Sequence, residues 1–243
     1  MDAVILAAGL GARIRDMHAL PKGFIQVGDR PIICESIEKL KNCGIKNILI
    51  VTGYASEYYD DLVKNEVGIS TVFNPQYHCF GSLYSLYCAK DWIKNDFLLL
   101  ESDIIYEKKA IELILYDKHN NTILLSGETL SSDEVYVEAV DKKLIKMSKQ
   151  INQLNANQIY GEFVGINKIA YAHYRQLILE LDKNTELLNS GHYDEHGFVL
   201  LAKNTDVFCL KENNLLWCEI DNRFQFERAK AIFCRNAVNH VST

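Results

Sequence analysis

The chain has 243 residues, of which 48% are hydrophobic and 24% are charged, as is usual for a globular protein. Its 32 acidic residues outnumber its 26 basic residues and give a formal charge of −6, which argues against a protein that binds nucleic acid through cationic side chains. No segment approaches the roughly 18 apolar residues of a membrane span. No basic region precedes the apolar run at the N-terminus, so the sequence predicts no secretory leader.

The first half of the chain alternates predicted strands with predicted helices. Continuous apolar runs such as 3–8 and 47–52 are typical of strands that are buried on both faces of a sheet. The pattern predicts strands at 3–8, 47–52, 69–73 and 97–101, and helices at 31–43, 55–65 and 82–93. This alternation favours an α/β fold with a doubly wound, mostly parallel sheet.

The second half is richer in strands with short polar connections, which predicts a mixed β extension to that sheet. Strands are expected at 122–126, 134–140, 143–148, 159–166, 206–210 and 215–220, and helices at 168–181, 194–203 and 223–237. No repeat or polar linker interrupts the sequence, so a single domain over 1–243 is expected.

The seven cysteines include no C-x-x-C pair, which argues against a zinc site. Most lie among apolar neighbours and are expected to be buried free thiols, so a reducing cytoplasm is the predicted location. His192 and His196 have the i, i+4 spacing of a helix but lack the H-E-x-x-H pattern of a metal site.

A glycine-rich segment follows the first predicted strand, at the edge of the sheet where ligands bind in open α/β folds. Gly9, Gly11 and the alanines around them allow the backbone to approach an anion closely, and Arg13 adds a forked cation. No Gly-Lys-Ser/Thr follows, so this is not a Walker loop, and a plain tight turn fits the two glycines equally well. Lys22, held just after Pro21, adds a second cation a few residues on.

Together, L-A-A-G-x-G-x-R-I and the following Pro21-Lys22 resemble the signature of the nucleotidyltransferases that act on sugar phosphates, phosphocholine and similar anions. The resemblance implies a Rossmann-like fold, a nucleoside triphosphate, a phosphate-type acceptor and release of pyrophosphate. It implies that residues up to about 120 bind the nucleotide and that 121–243 bind the acceptor. Arg13, Lys22 and Asp103 would be catalytic. The nucleotide would contact Leu6, Ala7, Ala8, Gly9, Gly11, Ala12, Arg13, Lys22, Gly81 and Ser82.

Two aspartates lie where strands are predicted to end. Asp103 follows the strand at 97–101, and Asp221 lies between the strand at 215–220 and the last helix. The family places its Mg²⁺ ligands at these two kinds of position, and carboxylate oxygens suit that ion. Asp103 is also compatible with a turn and Asp221 with a helix cap, but Asn222 and Gln225 form a capping pattern that would leave Asp221 free.

Four further segments, 97–106, 133–139, 160–166 and 217–222, resemble 2-aminoethylphosphonate cytidylyltransferases. The resemblance implies transfer of CMP from CTP to 2-aminoethylphosphonate. Acidic side chains would face the primary ammonium group, and Ser82 and Lys149 would hold the phosphonate oxygens. The acidic candidates are Glu162, Asp194 and Glu195.

Several alternatives stay open. Phosphocholine cytidylyltransferases share the signature loop and a stretch like 84–87, and thirteen tyrosines leave an aromatic cage for a trimethylammonium group available. Phe80 stands where members of the group often carry a small polar residue. A sugar-phosphate nucleotidyltransferase and a non-catalytic nucleotide sensor are the remaining candidates. A homodimer is compatible with the sequence, although no segment identifies an interface.

Overall fold

The computed structural model describes residues 1–15, 18–131, 133–189 and 192–240, with side chains described as far as residue 232. Eleven strands lie within these ranges. They are β1 (Asp2–Ala7), β2 (Ile48–Thr52), β3 (Ile69–Phe73), β4 (Phe97–Glu101), β5 (Ile104–Tyr106), β6 (Thr122–Ser126), β7 (Tyr136–Val140), β8 (Lys143–Ser148), β9 (Ile159–Ile169), β10 (Phe208–Glu212) and β11 (Trp217–Glu219).

The same ranges contain eight α-helices and short 3-10 turns, one of which is Lys22–Phe24. The helices are α1 (Ile32–Asn42), α2 (Ser56–Val63), α3 (Ser82–Cys88), α4 (Lys109–Tyr116), α5 (Tyr171–Lys183), α6 (Glu186–Asn189), α7 (Asp194–Ala202) and α8 (Arg223–His240). No helix in the described part of the chain combines the length and apolar character needed to cross a bilayer.

Nine strands form one sheet in the order β3-β2-β1-β4-β9-β6-β10-β8-β7. Strands β1 to β4 pair in parallel, and β6 pairs in parallel with β10. Strand β9 lies between β4 and β6 and runs antiparallel to both. The α/β fold with a mixed, mostly parallel sheet is therefore confirmed, and so is the β extension in the second half.

Apolar residues pack on both faces of this sheet, which explains the uninterrupted apolar runs. Every residue of β1 and β2 is buried, whereas β3, at the edge, has one buried residue. One core cluster, with Val4 and Leu99, packs under α3, α5 and α7, and another, with Ile5 and Leu100, packs under α1 and α4. Alternate side chains of a strand point to opposite faces, so each central strand supplies both clusters.

Most predicted elements are present, with ends that differ by a few residues from those predicted. The short strands β5 and β11 pair with each other. Strand β5 was not predicted, and it forms a separate two-stranded sheet with β11. Helices α4 and α6 were not predicted either. Six cysteines are free thiols, whereas Cys234 lies outside the described side chains. The expectation that most cysteines are buried is wrong for these six, because only Cys209 and Cys218 are buried and Cys79 is exposed.

Candidate active site

A cavity of about 740 Å³ opens at the carboxyl ends of β1 and β4. Its walls come from the loop after β1, the residues before α3, the β4–β5 turn and the end of β11. Most residues predicted to bind nucleotide, acceptor or metal line it. They are Leu6, Ala7, Ala8, Gly9, Gly11, Ala12, Arg13, Lys22, Gly81, Ser82, Asp103, Lys149, Glu195 and Asp221.

The glycine loop after β1 leaves open space above its backbone. A Cβ atom added at Gly9 would have no neighbour within 4 Å. Gly11 has a φ of +60°, and a Cβ there would lie 3.1 Å from Cγ of Lys22. Glycine is therefore needed at Gly11 for its left-handed backbone and for the close passage of the lysine.

Lys22 begins a single 3-10 turn directly after Pro21, and its side chain crosses the floor of the cavity. Its Nζ donates to Oδ2 of Asp103 at 2.7 Å and also contacts Oδ1 of Asp221. Burial on its own would lower the pKa of Lys22, but the two carboxylates outweigh burial and raise that pKa above its usual value. The side chain is therefore a fixed cation between two acids that are 118 residues apart.

Arg13 forms a second cationic point at the mouth of the cavity. Its guanidinium donates to Oδ2 of Asp133 at 2.7 Å and contacts Oδ2 of Asp221. Lys149 reaches the same Asp133 carboxylate from the other side, at 3.5 Å. Arg13 is 57% exposed, so its guanidinium is open to an incoming anion.

Pairing of β5 with β11 brings the two predicted metal ligands together. The backbone N–H of Ile220 donates to the carbonyl of Asp103 at 2.9 Å. At the start of α8, the N–H of Gln225 donates to Oδ1 of Asn222 at 3.0 Å, and the N–H of Asp221 donates to Oε1 of Gln225 at 2.7 Å. Asn222 and Gln225 thus cap this helix, and the Asp221 carboxylate is left to face Lys22.

Glu101 and Glu219, which sequence reasoning missed, form a close group with Asp103. Carboxylate oxygens of Glu101, Asp103 and Glu219 lie within 4.8 Å of one another. Burial, with neighbouring carboxylates next, raises the pKa of Glu101 and of Glu219 well above the usual value. A signal was present in the sequence, because Glu101 and Glu219 lie at the ends of strands, each two residues before an aspartate that is predicted to bind metal.

This donor set fits a hard divalent cation. Oxygen ligands from carboxylates are those that Mg²⁺ prefers, and three close carboxylates repel one another unless a cation lies between them. Asp221 lies outside that trio and contacts Lys22 and Arg13. Burial opposes ionisation of Asp221, but Lys22 and then Arg13 lower its pKa below the usual value.

The predicted acceptor residues divide into two groups. Ser82, Lys149 and Glu195 line the cavity, whereas Glu162 and Asp194 are buried behind its wall. Glu162 accepts from the N–H of Thr129 at 2.9 Å. Binding of the acceptor by any of these five residues stays a prediction.

Asp194 and Ser82 are hydrogen-bonded to each other. The Ser82 hydroxyl donates to Oδ1 of Asp194 at 2.6 Å, and the Asp194 N–H donates to the same hydroxyl at 2.8 Å. Next to them, Oε2 of Glu195 is buried without a hydrogen-bond partner among the described residues. Burial, and then Asp194, raises the pKa of Glu195 to about 8.

Aromatic side chains form the rest of the wall. Tyr77, Phe80, Tyr193 and Trp217 all line the cavity, and among these Phe80 is the residue that stands where members of the group often carry a small polar one. The cavity therefore offers both carboxylates and aromatic rings to a bound cation.

Comparison with known proteins agrees with this geometry. The MobA-like NTP transferase domain matches residues 3–124. A choline-phosphate cytidylyltransferase of Streptococcus pneumoniae is 40% identical over 185 residues, which cover 68% of this chain and 80% of that protein. A CTP:phosphoglutamine cytidylyltransferase of Campylobacter jejuni is 25% identical over 249 residues, with 91% of this chain and 96% of that protein covered.

Among solved structures, the inositol-1-phosphate CTP transferase from T. maritima matches with a TM-score of 0.78 and 17% identity over 95% of each chain, which supports the fold. The glycine loop and the lysine after Pro21 both lie within residues 3–124, the range that the family matches. The chain therefore belongs to the MobA-like NTP transferase family and is a nucleotidyltransferase.

Proposed function

We propose that the protein is a cytidylyltransferase that transfers CMP from CTP to 2-aminoethylphosphonate and releases pyrophosphate. The observation that carries the proposal is the meeting of Lys22, Asp103 and Asp221 beside the glycine loop in one cavity. The preference for a cytidine nucleotide is supported by the cytidylyltransferases of S. pneumoniae and C. jejuni.

The chemistry requires little acid–base assistance from the protein. An oxygen of the acceptor phosphonate attacks the α-phosphorus of CTP, and the bond from that phosphorus to the bridging oxygen breaks, so that pyrophosphate leaves with the electron pair. The phosphonate is already anionic near neutral pH and needs no general base. The main obstacles are repulsion between two anions and the charge that grows on pyrophosphate, and fixed cations reduce both.

The residues divide this work by position. Backbone N–H groups around Gly9 and Gly11 contact triphosphate oxygens, and Arg13 adds a forked donor at the mouth. Lys22 stabilises negative charge at the α-phosphate. Because Lys22 is paired with two carboxylates in the ligand-free protein, nucleotide oxygens must replace part of those contacts.

The carboxylates at the ends of β4 and β11 would hold Mg²⁺. Asp103 and Asp221 are the proposed ligands, and the trio of Glu101, Asp103 and Glu219 supplies further oxygens. When bound, the ion supplies positive charge that the triphosphate needs.

The acceptor wall suits a molecule with an anionic end and a cationic end. Lys149 and Ser82 line the cavity and would hold the phosphonate. Oε2 of Glu195, which is buried with no hydrogen-bond partner among the described residues, would accept from an ammonium donor. A primary ammonium group satisfies such an oxygen by a hydrogen bond, whereas a trimethylammonium group has no N–H donor.

Phosphocholine is the second candidate, and two observations favour it. The S. pneumoniae relative, 40% identical, is a choline-phosphate cytidylyltransferase. Tyr77, Phe80, Tyr193 and Trp217 also give the cavity the aromatic rings that attract a quaternary cation.

A pyrophosphate-release assay tests the proposal. CTP, UTP, GTP and ATP are each combined with 2-aminoethylphosphonate, phosphocholine and glucose 1-phosphate in the presence of Mg²⁺. We expect release with CTP and 2-aminoethylphosphonate. Faster release with phosphocholine would make phosphocholine the preferred acceptor in place of 2-aminoethylphosphonate. Release only with glucose 1-phosphate would identify a sugar-phosphate enzyme.

Asp103→Asn is the matched inactive control. It keeps the size of the side chain and removes its charge, so we expect turnover to fall by about 100-fold or more with an unchanged melting temperature. Absence of release by the wild-type protein in every CTP combination would overturn the cytidylyltransferase proposal, and absence of release with all four nucleotides would favour a nucleotide sensor.

A further inference from the structure

One side chain of helix α2, that of Tyr59, lines the active-site cavity. All eight of its residues are described, and of these only Tyr59 is buried, with 1% of its surface exposed. The ring packs edge-to-face against Phe24 with centroids 5.0 Å apart. The neighbouring Tyr58 is 40% exposed and also meets Phe24, with centroids 5.7 Å apart.

The Tyr59 hydroxyl lies where two catalytic segments meet. It lies against the backbone of Gly23 and close to Ser102. Gly23 directly follows Lys22, and Ser102 directly precedes Asp103. One hydroxyl therefore joins the turn that carries the lysine to the turn that carries the predicted metal ligand.

The packing around Gly23 leaves this hydroxyl very little room. A Cβ atom added at Gly23 would lie 2.8 Å from Oη of Tyr59 and 3.5 Å from the carbonyl oxygen of Ser102. The Ser102 N–H is in turn bonded to the carbonyl of Leu6 at 3.2 Å, at the start of the glycine loop. Movement of the hydroxyl would therefore shift the lysine turn relative to both other parts of the nucleotide site.

We propose that Tyr59 is a positioning residue that fixes the ammonium group of Lys22 relative to Asp103 and the glycine loop, because its hydroxyl packs where the backbone of Gly23 meets that of Ser102. This inference rests on the proposed nucleotidyl transfer for its kinetic consequence. Misplacement of a reacting group by about 1 Å can cost about 100-fold in rate. The contribution of Tyr59 is thus expected in the chemical step, because its buried hydroxyl packs against protein backbone.

Tyr59→Phe tests this, with Tyr58→Phe as the matched control on the same helix. Both variants keep an aromatic ring against Phe24, and only the first removes the bridging hydroxyl. We expect Tyr59→Phe to lower kcat by about 10- to 100-fold while KM for CTP changes less than about 3-fold. Tyr58→Phe should leave both constants unchanged. Equal kcat values for the two variants would overturn the proposal.

Gly23→Ala provides a second variant in case Tyr59→Phe folds poorly. Its methyl group would press on Oη, so kcat should fall in the wild-type background and fall less when Tyr59→Phe has already removed that oxygen. Such a difference between backgrounds measures coupling between the two sites. Strictly additive effects would mean that Gly23 does not act through the hydroxyl and would count against the proposal.

Hydrogen exchange separates a failure of this inference from a failure of the proposed function. Tyr59→Phe should speed amide exchange in residues 22–25 and 102–105 at least about 3-fold more than elsewhere, whatever reaction the protein catalyses. Unchanged exchange in these two segments would overturn the positioning role. If Tyr59→Phe speeds exchange in these segments but the wild-type protein releases no pyrophosphate, the positioning role of Tyr59 stands and only the proposed reaction is rejected.

Discussion

At the scale of single residues, the carboxyl groups of the cavity differ in the cations that face them. Asp221 contacts both Lys22 and Arg13, and its pKa is lowered. Glu195 contacts no cation at hydrogen-bond distance among the described residues, and burial raises its pKa to about 8. The protein therefore holds one acid charged beside its cations and another mostly protonated at neutral pH in the absence of ligand.

Glu195→Gln is expected to stabilise the ligand-free protein in a pH-dependent way. The ordinary value of 4.5 rises to about 8 on folding, so wild-type stability falls as the pH rises from about 4.5 to 8. The amide has no such penalty. The melting temperature of the variant should match the wild type near pH 4.5 and exceed it by several degrees at pH 8, at about 2–4 °C per kcal/mol.

Thermal unfolding between pH 4.5 and pH 8.5 measures this difference, with Glu128→Gln at an exposed glutamate as the control. The control should show no pH-dependent gain. A difference between Glu195→Gln and wild type that is the same at all pH values would contradict the raised pKa. The same variant should bind an ammonium acceptor more weakly, because the carboxylate that attracts the cation is gone.

At the scale of elements, the start of α8 shows how a helix cap leaves a functional group free. Asn222 and Gln225 satisfy the first N–H groups, so Asp221 is not needed for capping. This division was visible in the sequence as an Asn followed three residues later by Gln. The sequence could not show that Asp221 would then meet Lys22, because that contact joins residues 199 positions apart.

Asn222→Ala should destabilise the protein by about 1 kcal/mol, because an N-cap acceptor is lost. For a chain of this size, that corresponds to a decrease of about 2–4 °C in melting temperature, which calorimetry can measure. Asn222→Asp keeps an acceptor at the helix N-terminus and should retain the wild-type value. If the alanine and aspartate variants melt together, the cap contributes nothing measurable.

At the scale of the whole molecule, strand β9 connects the predicted nucleotide and acceptor parts. It pairs with β4 on one side and with β6 on the other, so hydrogen bonds run across the boundary near residue 120. The two parts also share a core cluster, in which Val4 and Leu99 pack with residues such as Leu181. We therefore expect them to unfold together.

Single-tryptophan variants test this cooperativity, because Trp92 lies in the first part and Trp217 in the second. Trp217→Phe leaves Trp92 as the reporter, and Trp92→Phe leaves Trp217. Leu181→Ala opens a cavity at a fully buried position. Added to either variant, it should lower the free energy of unfolding that the remaining tryptophan reports by about 2–5 kcal/mol. Denaturant unfolding in which only the Trp217 signal shifts would show two independent units.

Local patterns in the sequence were sufficient for the sheet, most helices and the glycine loop with its lysine. Apolar runs and turn residues act over a few positions, so burial and hydrogen bonding of the backbone can be inferred from them. Only part of the cluster of carboxylates could be predicted from the sequence. Asp103 and Asp221 stood out at strand ends, whereas Glu101 and Glu219 resembled ordinary strand residues until β5 and β11 paired.

The sequence by itself determined the family, the order of most elements and the two cations, Arg13 and Lys22, that line the cavity. The tertiary structure decided which acids share a cavity, which of the acceptor candidates reach it, and that the hydroxyl of Tyr59 joins the Lys22 and Asp103 turns. Contacts of this kind join residues that are distant in the chain, and their distances depend on strand pairing and on the packing of whole helices. Residue identity alone carries no information about those distances.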